Sequence, residues 1–494
     1  MKSNRLARIA LVFYLISAGM AWAQSTGENE FNCFSILVGK KASADGSVLF
    51  AHNEDDGGVQ LVNYYRVPRL EHADGEVVNL GAGAAIPQVK VTYSYLWFEM
   101  PGMEFSDSYA NEWGVVIASD ACASREKNAM LKDGGIAYWL RRLIAERART
   151  AREGVKIGGA LIKRYGYASS GRTYVIADAN EGWMLSAVNG THWVARRVPD
   201  DHVAVLPNYY TIGHVDLSDT MNYLGAADLI DYAIAQQWYR PETDGAFHFA
   251  RAYSSPENLI NPGNVYRMWR GVNLAAGTDY PVDAEFPFSL APKEKLTVQD
   301  LMRVLRDHCV GTELDKTNGY TLGSPYDLNP STICASFTQY GFVAQLRSWM
   351  PVQVGAVIWL AQHRPDTQAF VPWYLGMSET PEGYAFGDYR SALDQHFNPP
   401  ANIHDKTQLH AFWSFVTLTD MVDDNYSQAI RAVQKKWNEF EKNGFKEQSK
   451  CDIKARKVYT YHPEEVAKIL TEFSHDWAQK SRATADKLKA ELGK

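Results

Sequence analysis

A cysteine and a group of carboxylates lie at the two ends of one predicted β-hairpin. Cys33 begins a short apolar run, Asp45-Gly46 gives the sharpest turn signal, and residues 47–53 form the returning strand. The hairpin brings a polar cluster back beside the thiol: Asn53, Glu54, Asp55 and Asp56. A thiol next to groups that orient its base can act as a nucleophile. The alternative is a buried structural cysteine at the start of a core strand.

The segment in front of Cys33 has the pattern of a secretory signal peptide over residues 1–23. A basic start precedes an apolar stretch, and Ala21-Trp22-Ala23 fits a small-x-small cleavage site. An uncleaved membrane anchor is the alternative, but the apolar run is short for a span. Residues 24–32 then form a short polar propeptide, and its removal makes Cys33 the amino terminus. We therefore expect a secreted or periplasmic protein.

The motifs of residues 33–55 resemble a known family. Cys, then G-K-K-A-S-x-D-G-S, then A-H-N-E-D is similar to the cysteine dipeptidases related to secernins. A second stretch, residues 331–376, shows the same succession through T-I-C-A-S-F-T-Q and F-V-P-W-Y-L-G. These enzymes are N-terminal-nucleophile (Ntn) hydrolases, the group of penicillin V acylase and bile-salt hydrolase. The resemblance implies an α+β fold, a four-layer αββα sandwich over residues 33–400, with a helical extension over residues 401–494 packed on it.

The resemblance also implies roles for individual residues. Cys33 is the nucleophile, acting through its thiol and its own α-amine, and Asp55 is a catalytic carboxylate. Asn208, which follows a predicted strand, corresponds to an amide that holds the oxyanion; an ordinary turn asparagine is the alternative. His52 stands where relatives usually have arginine, and whether it takes that cationic, substrate-binding role is open.

Two further residues are candidate substrate contacts. Asp120 ends a predicted strand where acylase-type relatives place an asparagine, and an acidic side chain there suits a substrate with a free amino group. A helix cap or loop residue is the alternative for Asp120. Arg251 could match a positioning arginine of the relatives, with a surface or structural ion pair as the alternative.

The remaining four cysteines allow two interpretations: Cys122, Cys309, Cys334 and Cys451. In an oxidising compartment they form two disulfides in any of three connectivities, with Cys309–Cys334 as the first choice; otherwise they are reduced thiols. No pair has the short spacing of a zinc site, and the histidines are scattered. We therefore expect no metal and no other cofactor.

The function implied by the resemblance is hydrolysis of dipeptides or other short peptides. An amidase of acyl-amino acids, penicillin-like or bile-salt-like amides is a second hypothesis, and a non-catalytic binding protein on the same scaffold is a third. A net charge of −7 argues against nucleic acid as a partner. No later segment approaches a membrane span, so the mature form is expected without a membrane partner. A homo-oligomer is left open.

Overall fold

The computed structural model describes residues 33–79, 83–329, 332–406 and 409–494. The predicted signal peptide and propeptide lie outside the described residues. The first strands are β1 (Phe34–Val38), β2 (Val48–Asp55), β3 (Asn63–Val67), β4 (Leu70–Glu71), β5 (Val77–Asn79), β6 (Ala85–Pro87), β7 (Val91–Thr92), β8 (Tyr95–Glu99), β9 (Ser108–Asn111) and β10 (Val116–Ala121). The later strands are β11 (Tyr167–Ala177), β12 (Gly182–Gly190), β13 (Trp193–Arg197), β14 (Val203–Leu206), β15 (Tyr223–Gly225), β16 (Thr338–Leu346), β17 (Ala356–Gln362) and β18 (Val371–Tyr374).

The helices fall between and after these strands. They are α1 (Trp139–Arg147), α2 (Ala151–Tyr165), α3 (Leu229–Ala235), α4 (Phe249–Tyr253), α5 (Pro256–Ile260), α6 (Pro262–Ala276), α7 (Val298–Leu305), α8 (Pro325–Leu328), α9 (Val352–Gly355), α10 (Tyr389–Gln395), α11 (Ala411–Asp423), α12 (Tyr426–Tyr461) and α13 (Val466–Leu492). A 3-10 turn at Pro463–Glu465 joins the last two.

Two antiparallel sheets form the middle of the molecule. The first has the strand order β14-β1-β2-β16-β17-β18, and the second has the order β15-β13-β12-β11-β10-β9-β8-β3. β1 and β2 form the predicted hairpin, in which Phe34 pairs with Asn53. This register brings Cys33, one residue earlier, opposite Glu54, as the turn position predicts.

The side chains of each sheet divide between an inner and an outer face, as the period of two in a β-strand requires. Inner-face residues such as Leu37 and Phe342 of the first sheet and Leu96 and Val175 of the second share one core. On the outer face of the first sheet, Phe34 packs in a core built with α6 and α7 and with parts of α12 and α13. On the outer face of the second sheet, α1 and α2 complete a third core. The fold is therefore the four-layer αββα sandwich that the motifs predicted.

The C-terminal helices cover part of the first sheet. Cys451 and Ala455 of α12, with Leu470 of α13, pack in the same core as Trp359 of β17. The helical extension predicted for residues 401–494 is present and packed, while a domain boundary at residue 400 stays a prediction. Among the described helices, none combines the length and apolarity that a membrane crossing needs.

One sequence prediction differs from the structure. A disulfide between Cys309 and Cys334 is wrong, since all five cysteines are free and buried. The Cys334 thiol instead contacts the Tyr326 hydroxyl and the Asp366 carboxylate, at 3.6 Å each.

Candidate active site

The hairpin holds the Cys33 thiol against a carboxylate. Cys33 Sγ donates to Glu54 Oε1 at 3.2 Å and lies 3.5 Å from the backbone oxygen of Asp55. The thiol is buried, with only 1% of the residue exposed. Burial is the main reason why its pKa lies well above the usual value, and the neighbouring carboxylates Glu54, Asp120 and Asp55 raise the pKa further. In this structure the group is therefore a thiol and not a thiolate.

A continuous chain of polar contacts between buried side chains begins at the thiol. Its members, called the relay below, are Glu54, His52, Ser35 and Asp120. Glu54 Oε2 lies 3.0 Å from His52 Nε2, and His52 Nδ1 lies 2.8 Å from Ser35 Oγ. Ser35 Oγ also donates to Asp120 Oδ2 at 2.7 Å. Because the serine hydroxyl has one hydrogen and gives it to Asp120, it accepts from His52, which fixes the proton of His52 on Nδ1. The other ring nitrogen of His52, Nε2, faces Glu54 Oε2.

The relay connects the two sheets and is closed to solvent. His52 and Asp120 are both fully buried. Burial raises the pKa of Asp120 to about 6, despite the opposing effects of His52 and the Ser35 hydroxyl. Among the described residues, Asp120 Oδ1 has no hydrogen-bond partner. The structure thus joins these two predicted substrate contacts to the thiol through Glu54, and a direct contact of either with substrate stays a prediction.

Asp55 follows Glu54 and points to the opposite face of β2, where helices cover the sheet. Its Oδ1 accepts from the Thr338 hydroxyl at 2.6 Å, whereas its Oδ2 has no hydrogen-bond partner within the described part of the chain. Burial holds the pKa of Asp55 well above its usual value, although the Thr338 hydroxyl and the Arg267 guanidinium lower it. The free oxygen is an unused acceptor on the residue whose backbone oxygen lies 3.5 Å from Cys33 Sγ.

Asn208 is held by a buried arginine. Arg267 of α6 donates through Nη2 to Asn208 Oδ1 at 2.8 Å and through Nη1 to the Cys33 carbonyl oxygen at 2.8 Å. Since the guanidinium takes the oxygen side of the amide, Asn208 Nδ2 faces another way, and no described residue accepts from it. One arginine thus joins the predicted nucleophile to the residue of the predicted oxyanion donor. It leaves Asn208 Nδ2 without an acceptor among the described residues.

Arg251 does not join this group. Its guanidinium is exposed and pairs with Glu285. No hydrogen bond or ion pair of the described residues links Arg251 to Cys33, Asp55 or Asn208. Arg251 and Glu285 instead line a cavity of about 680 Å³. Two other residues of its wall, Tyr209 and Met268, directly follow Asn208 and Arg267 in the chain.

Sequence reasoning assigned no role to Ser35, Glu54, Arg267 or Thr338. The alternation of β2 was a usable signal, because His52 and Glu54 must share the face of the thiol. For Arg267 the signal was a charged residue in the buried stripe of α6: Gly263, Arg267, Gly271 and Ala275. For Thr338 the signal was its place in the motif T-I-C-A-S-F-T-Q, although its contact with Asp55 spans 283 positions.

Comparison with known proteins gives a family match. The model of "Peptidase family C69" matches residues 110–439, a range that begins after the hairpin of Cys33. A "probable dipeptidase" of Latilactobacillus sakei is 28% identical over 369 residues, covering 71% of this chain and 76% of that protein. A "probable dipeptidase" of Salmonella dublin is 27% identical over 357 residues, covering 70% and 81%. "Probable dipeptidase B" of Streptococcus pyogenes serotype M1 is 25% identical over 379 residues, covering 72% and 74%.

Among solved structures, penicillin V acylase from Agrobacterium tumefaciens superposes with a TM-score of 0.36 at 12% identity, covering 69% of this chain and 85% of that one. A variant of conjugated bile acid hydrolase from Clostridium perfringens gives a TM-score of 0.30 at 12% identity, covering 67% and 89%.

Proposed function

The chain belongs to peptidase family C69, and from this premise we propose that it is a secreted or periplasmic cysteine dipeptidase whose nucleophile is Cys33, freed by removal of residues 1–32. The names of the relatives support dipeptides as substrates. The observation that carries the proposal is a pair of unused groups, each on a residue that contacts Cys33 directly or through Arg267. Asp55 offers a free acceptor and Asn208 a free donor, which are the two groups that an amino-terminal nucleophile needs.

The proposed first step is proton transfer within Cys33. A free α-amine has a pKa of about 7.7–8.0 and a free thiol one of about 8.5, so they exchange a proton near neutral pH. The α-amine takes the thiol proton, directly or through water, and becomes an ammonium that Asp55 Oδ2 holds. The positive charge next to the sulfur also counters the burial and the carboxylates that keep the thiol protonated before processing.

Attack on the substrate then forms the sulfur–carbon bond and moves the carbonyl π electrons to oxygen. Asn208 Nδ2 donates to this oxygen, and loss of one such donor costs about 10²- to 10³-fold in rate. Collapse of the intermediate breaks the carbon–nitrogen bond, and the ammonium of Cys33 gives its proton to the departing amine. Water then hydrolyses the thioester through a second intermediate of the same kind. In the unprocessed chain the α-amine is an amide, so the precursor is inactive.

The deciding experiment combines amino-terminal sequencing of the secreted protein with assays on a dipeptide panel. We expect a mature chain that begins at Cys33, and loss of dipeptide hydrolysis in Cys33→Ala and Asn208→Ala. Cys451→Ala, which removes another buried thiol, is the matched control and should retain activity. A stable, fully active chain that begins at Gln24, or full activity of Cys33→Ala, would overturn the proposal.

A panel of acyl-amino acids and penicillin-like and bile-salt-like amides should run beside the dipeptides. Turnover of these amides without dipeptide hydrolysis would show the amidase that is the alternative function. No turnover of either class by a chain processed to Cys33 would indicate a binding protein on the same scaffold.

A further inference from the structure

A second cluster of reactive side chains lies away from the relay, in three segments that the proposed function does not use. His308 follows α7, Cys334 lies before β16, and Asp366 follows β17. All three are buried, and one ligand atom from each lies within 4.8 Å of the other two. Sequence spacing gave no signal for the cluster, because Cys334 and Asp366 are 32 positions apart and His308 and Asp366 are 58 apart.

The contacts of this cluster form a closed circuit of four residues, and the two contacts of His308 Nε2 are longer than good hydrogen bonds. His308 Nε2 lies 3.4 Å from Asp366 Oδ2 and 3.4 Å from the Tyr326 hydroxyl. Cys334 Sγ lies 3.6 Å from that hydroxyl and 3.6 Å from Asp366 Oδ1. Hydrogen bonds between nitrogen or oxygen atoms are normally 2.7–3.2 Å, so the two contacts of His308 are weak at best.

These distances are of the size that separates neighbouring ligand atoms in a zinc coordination shell, with Asp366 presenting one carboxylate oxygen to His308 and the other to Cys334. Ligand bonds of about 2.0–2.3 Å in tetrahedral geometry separate the ligand atoms by about 3.3–3.8 Å. Imidazole nitrogen, thiolate and carboxylate oxygen are the usual ligands of zinc, and the Tyr326 hydroxyl lies at the fourth corner. We propose that His308, Cys334 and Asp366 bind a structural divalent metal ion, preferentially zinc, with the Tyr326 hydroxyl closing the site.

The surroundings of these residues hold them as the outer contacts of a metal site do. Thr332 Oγ1 lies 3.0 Å from His308 Nδ1 and so orients the ring with Nε2 inward. The Tyr426 hydroxyl donates to Asp366 Oδ2 at 2.7 Å. Contacts of this kind fix the tautomer and orientation of metal ligands.

The local charge also balances with a divalent ion present. Arg364 lies 3.7 Å from Asp366 Oδ1 and is paired through two hydrogen bonds with Asp423. Two carboxylates and one thiolate carry three negative charges, and Arg364 with a divalent ion carries three positive ones. Binding releases the thiol proton of Cys334 to solvent, since the thiolate is the form that binds zinc.

Metal analysis of the full chain, purified without a polyhistidine tag, tests the site. We expect about one zinc per chain, lost in Cys334→Ala and in His308→Ala. Cys309→Ala, the neighbouring buried thiol outside the cluster, should keep the metal. His462→Ala should also keep it, because it removes the exposed group His462, Glu464 and Glu465, which could bind zinc at the surface.

A cobalt experiment on the unaltered chain covers the case in which the variants fail to fold. Replacement of the metal by Co²⁺ should give intense tetrahedral d–d bands and a near-ultraviolet band of thiolate-to-cobalt charge transfer. Absence of these bands, a zinc-free chain whose thermal unfolding is unchanged by added zinc, or loss of the zinc in His462→Ala would each overturn the proposal. The test does not use peptidase activity, so its outcome is independent of the proposed function.

Discussion

Arg267 Nη2 lies 2.8 Å from Asn208 Oδ1 while Nη1 of the same guanidinium lies 2.8 Å from the Cys33 carbonyl oxygen. The planar fork of an arginine allows both bonds at once, which a lysine ammonium on a flexible stem does not reproduce. In the proposed mechanism, Arg267 therefore fixes the direction of the oxyanion donor relative to the nucleophile without touching the reacting atoms.

Replacing Arg267 by lysine should lower kcat about 100-fold and change KM much less, because a small misplacement of a catalytic group is that costly. Steady-state kinetics on a dipeptide measures this split. Arg303→Lys, at an exposed arginine of α7 paired with Asp300, is the control and should have no effect.

A double variant tests whether Arg267 acts through Asn208. If it does, Arg267→Lys adds little to the loss in Asn208→Ala, since the two residues form one unit. Fully additive losses would contradict the positioning role.

Thr338 should set the acidic limit of activity, because its hydroxyl stabilises the ionised form of Asp55. Thr338→Val removes this donor and raises the pKa of Asp55 further. As the pH falls, Asp55 is therefore protonated at a higher pH than in the wild type. A hydrogen bond to a charged group contributes about 1.5–3 kcal/mol, which corresponds to roughly one to two pH units. The acidic limb of kcat/KM against pH should shift upward by about that amount.

Thr338→Ser keeps the hydroxyl and is the matched control. Its acidic limb should stay at the wild-type position. If the acidic limb lies at the same pH in the wild type, Thr338→Val and Thr338→Ser, Asp55 does not need to be ionised, contrary to the mechanism.

The hairpin could be predicted from the sequence because it depends on local signals, and the four layers followed from the resemblance of the motifs to a known family. The turn at Asp45-Gly46 and the alternation of β2 determine which residues face the thiol, and the motifs identify the fold. The bond from Thr338 to Asp55 and the cluster of His308, Cys334 and Asp366 depend on segments that meet only after the whole sheet has formed. No local period or spacing records such contacts, so the sequence alone did not reveal them.

Asp120 should make the folded protein less stable as the pH rises from about 4 to 6. Its pKa is raised to about 6 by burial, against about 3.9 in an unfolded chain. The folded state therefore binds the proton of Asp120 more tightly than the unfolded state does. The contribution of this proton to the free energy of unfolding is fully present below pH 4 and is lost as the pH rises through 6. Two pKa units correspond to about 3 kcal/mol.

Asp120→Asn is the direct test, since an amide oxygen can still accept from Ser35. Urea unfolding should show the stability of the variant relative to wild type increasing by about 2–3 kcal/mol between pH 4 and pH 7. Asp74→Asn, at an exposed carboxylate, should show no such trend. A difference that does not depend on pH would mean that Asp120 is not protonated in the fold at low pH.

Gly271 lets α6 approach the first sheet closely enough for Arg267 to reach Cys33. A Cβ at this position would lie 2.5 Å from the ring of Phe34 and 2.9 Å from Val205. Alanine gains about 1 kcal/mol of helix propensity over glycine, but overpacking costs about 1–3 kcal/mol. We expect Gly271→Ala to lower the free energy of unfolding and to reduce kcat.

Gly444→Ala is the matched control in α12. Its nearest contacts are ordinary ones, at 3.6 Å or more, so propensity should dominate and the protein should be stabilised by up to about 1 kcal/mol. If chemical denaturation shows that both Gly271→Ala and Gly444→Ala stabilise the protein, close packing at Gly271 does not determine the position of α6.

The reactivity of Cys33 should depend on the position of the amino terminus. Two forms that differ by one residue test this: a chain that begins at Cys33 and a chain with one glycine before it. Only the first has an α-ammonium on the residue of the thiol, and this charge opposes the burial and the carboxylates that raise the thiol pKa. Alkylation of Cys33 by iodoacetamide at pH 7, followed by peptide mass spectrometry, should be at least about tenfold faster in the first form.

The buried thiols of Cys122 and Cys451 are internal controls and should react equally slowly in both forms. Equal rates at Cys33 would show that the α-amine does not activate the sulfur, and Glu54, at 3.2 Å, would then be the base to test.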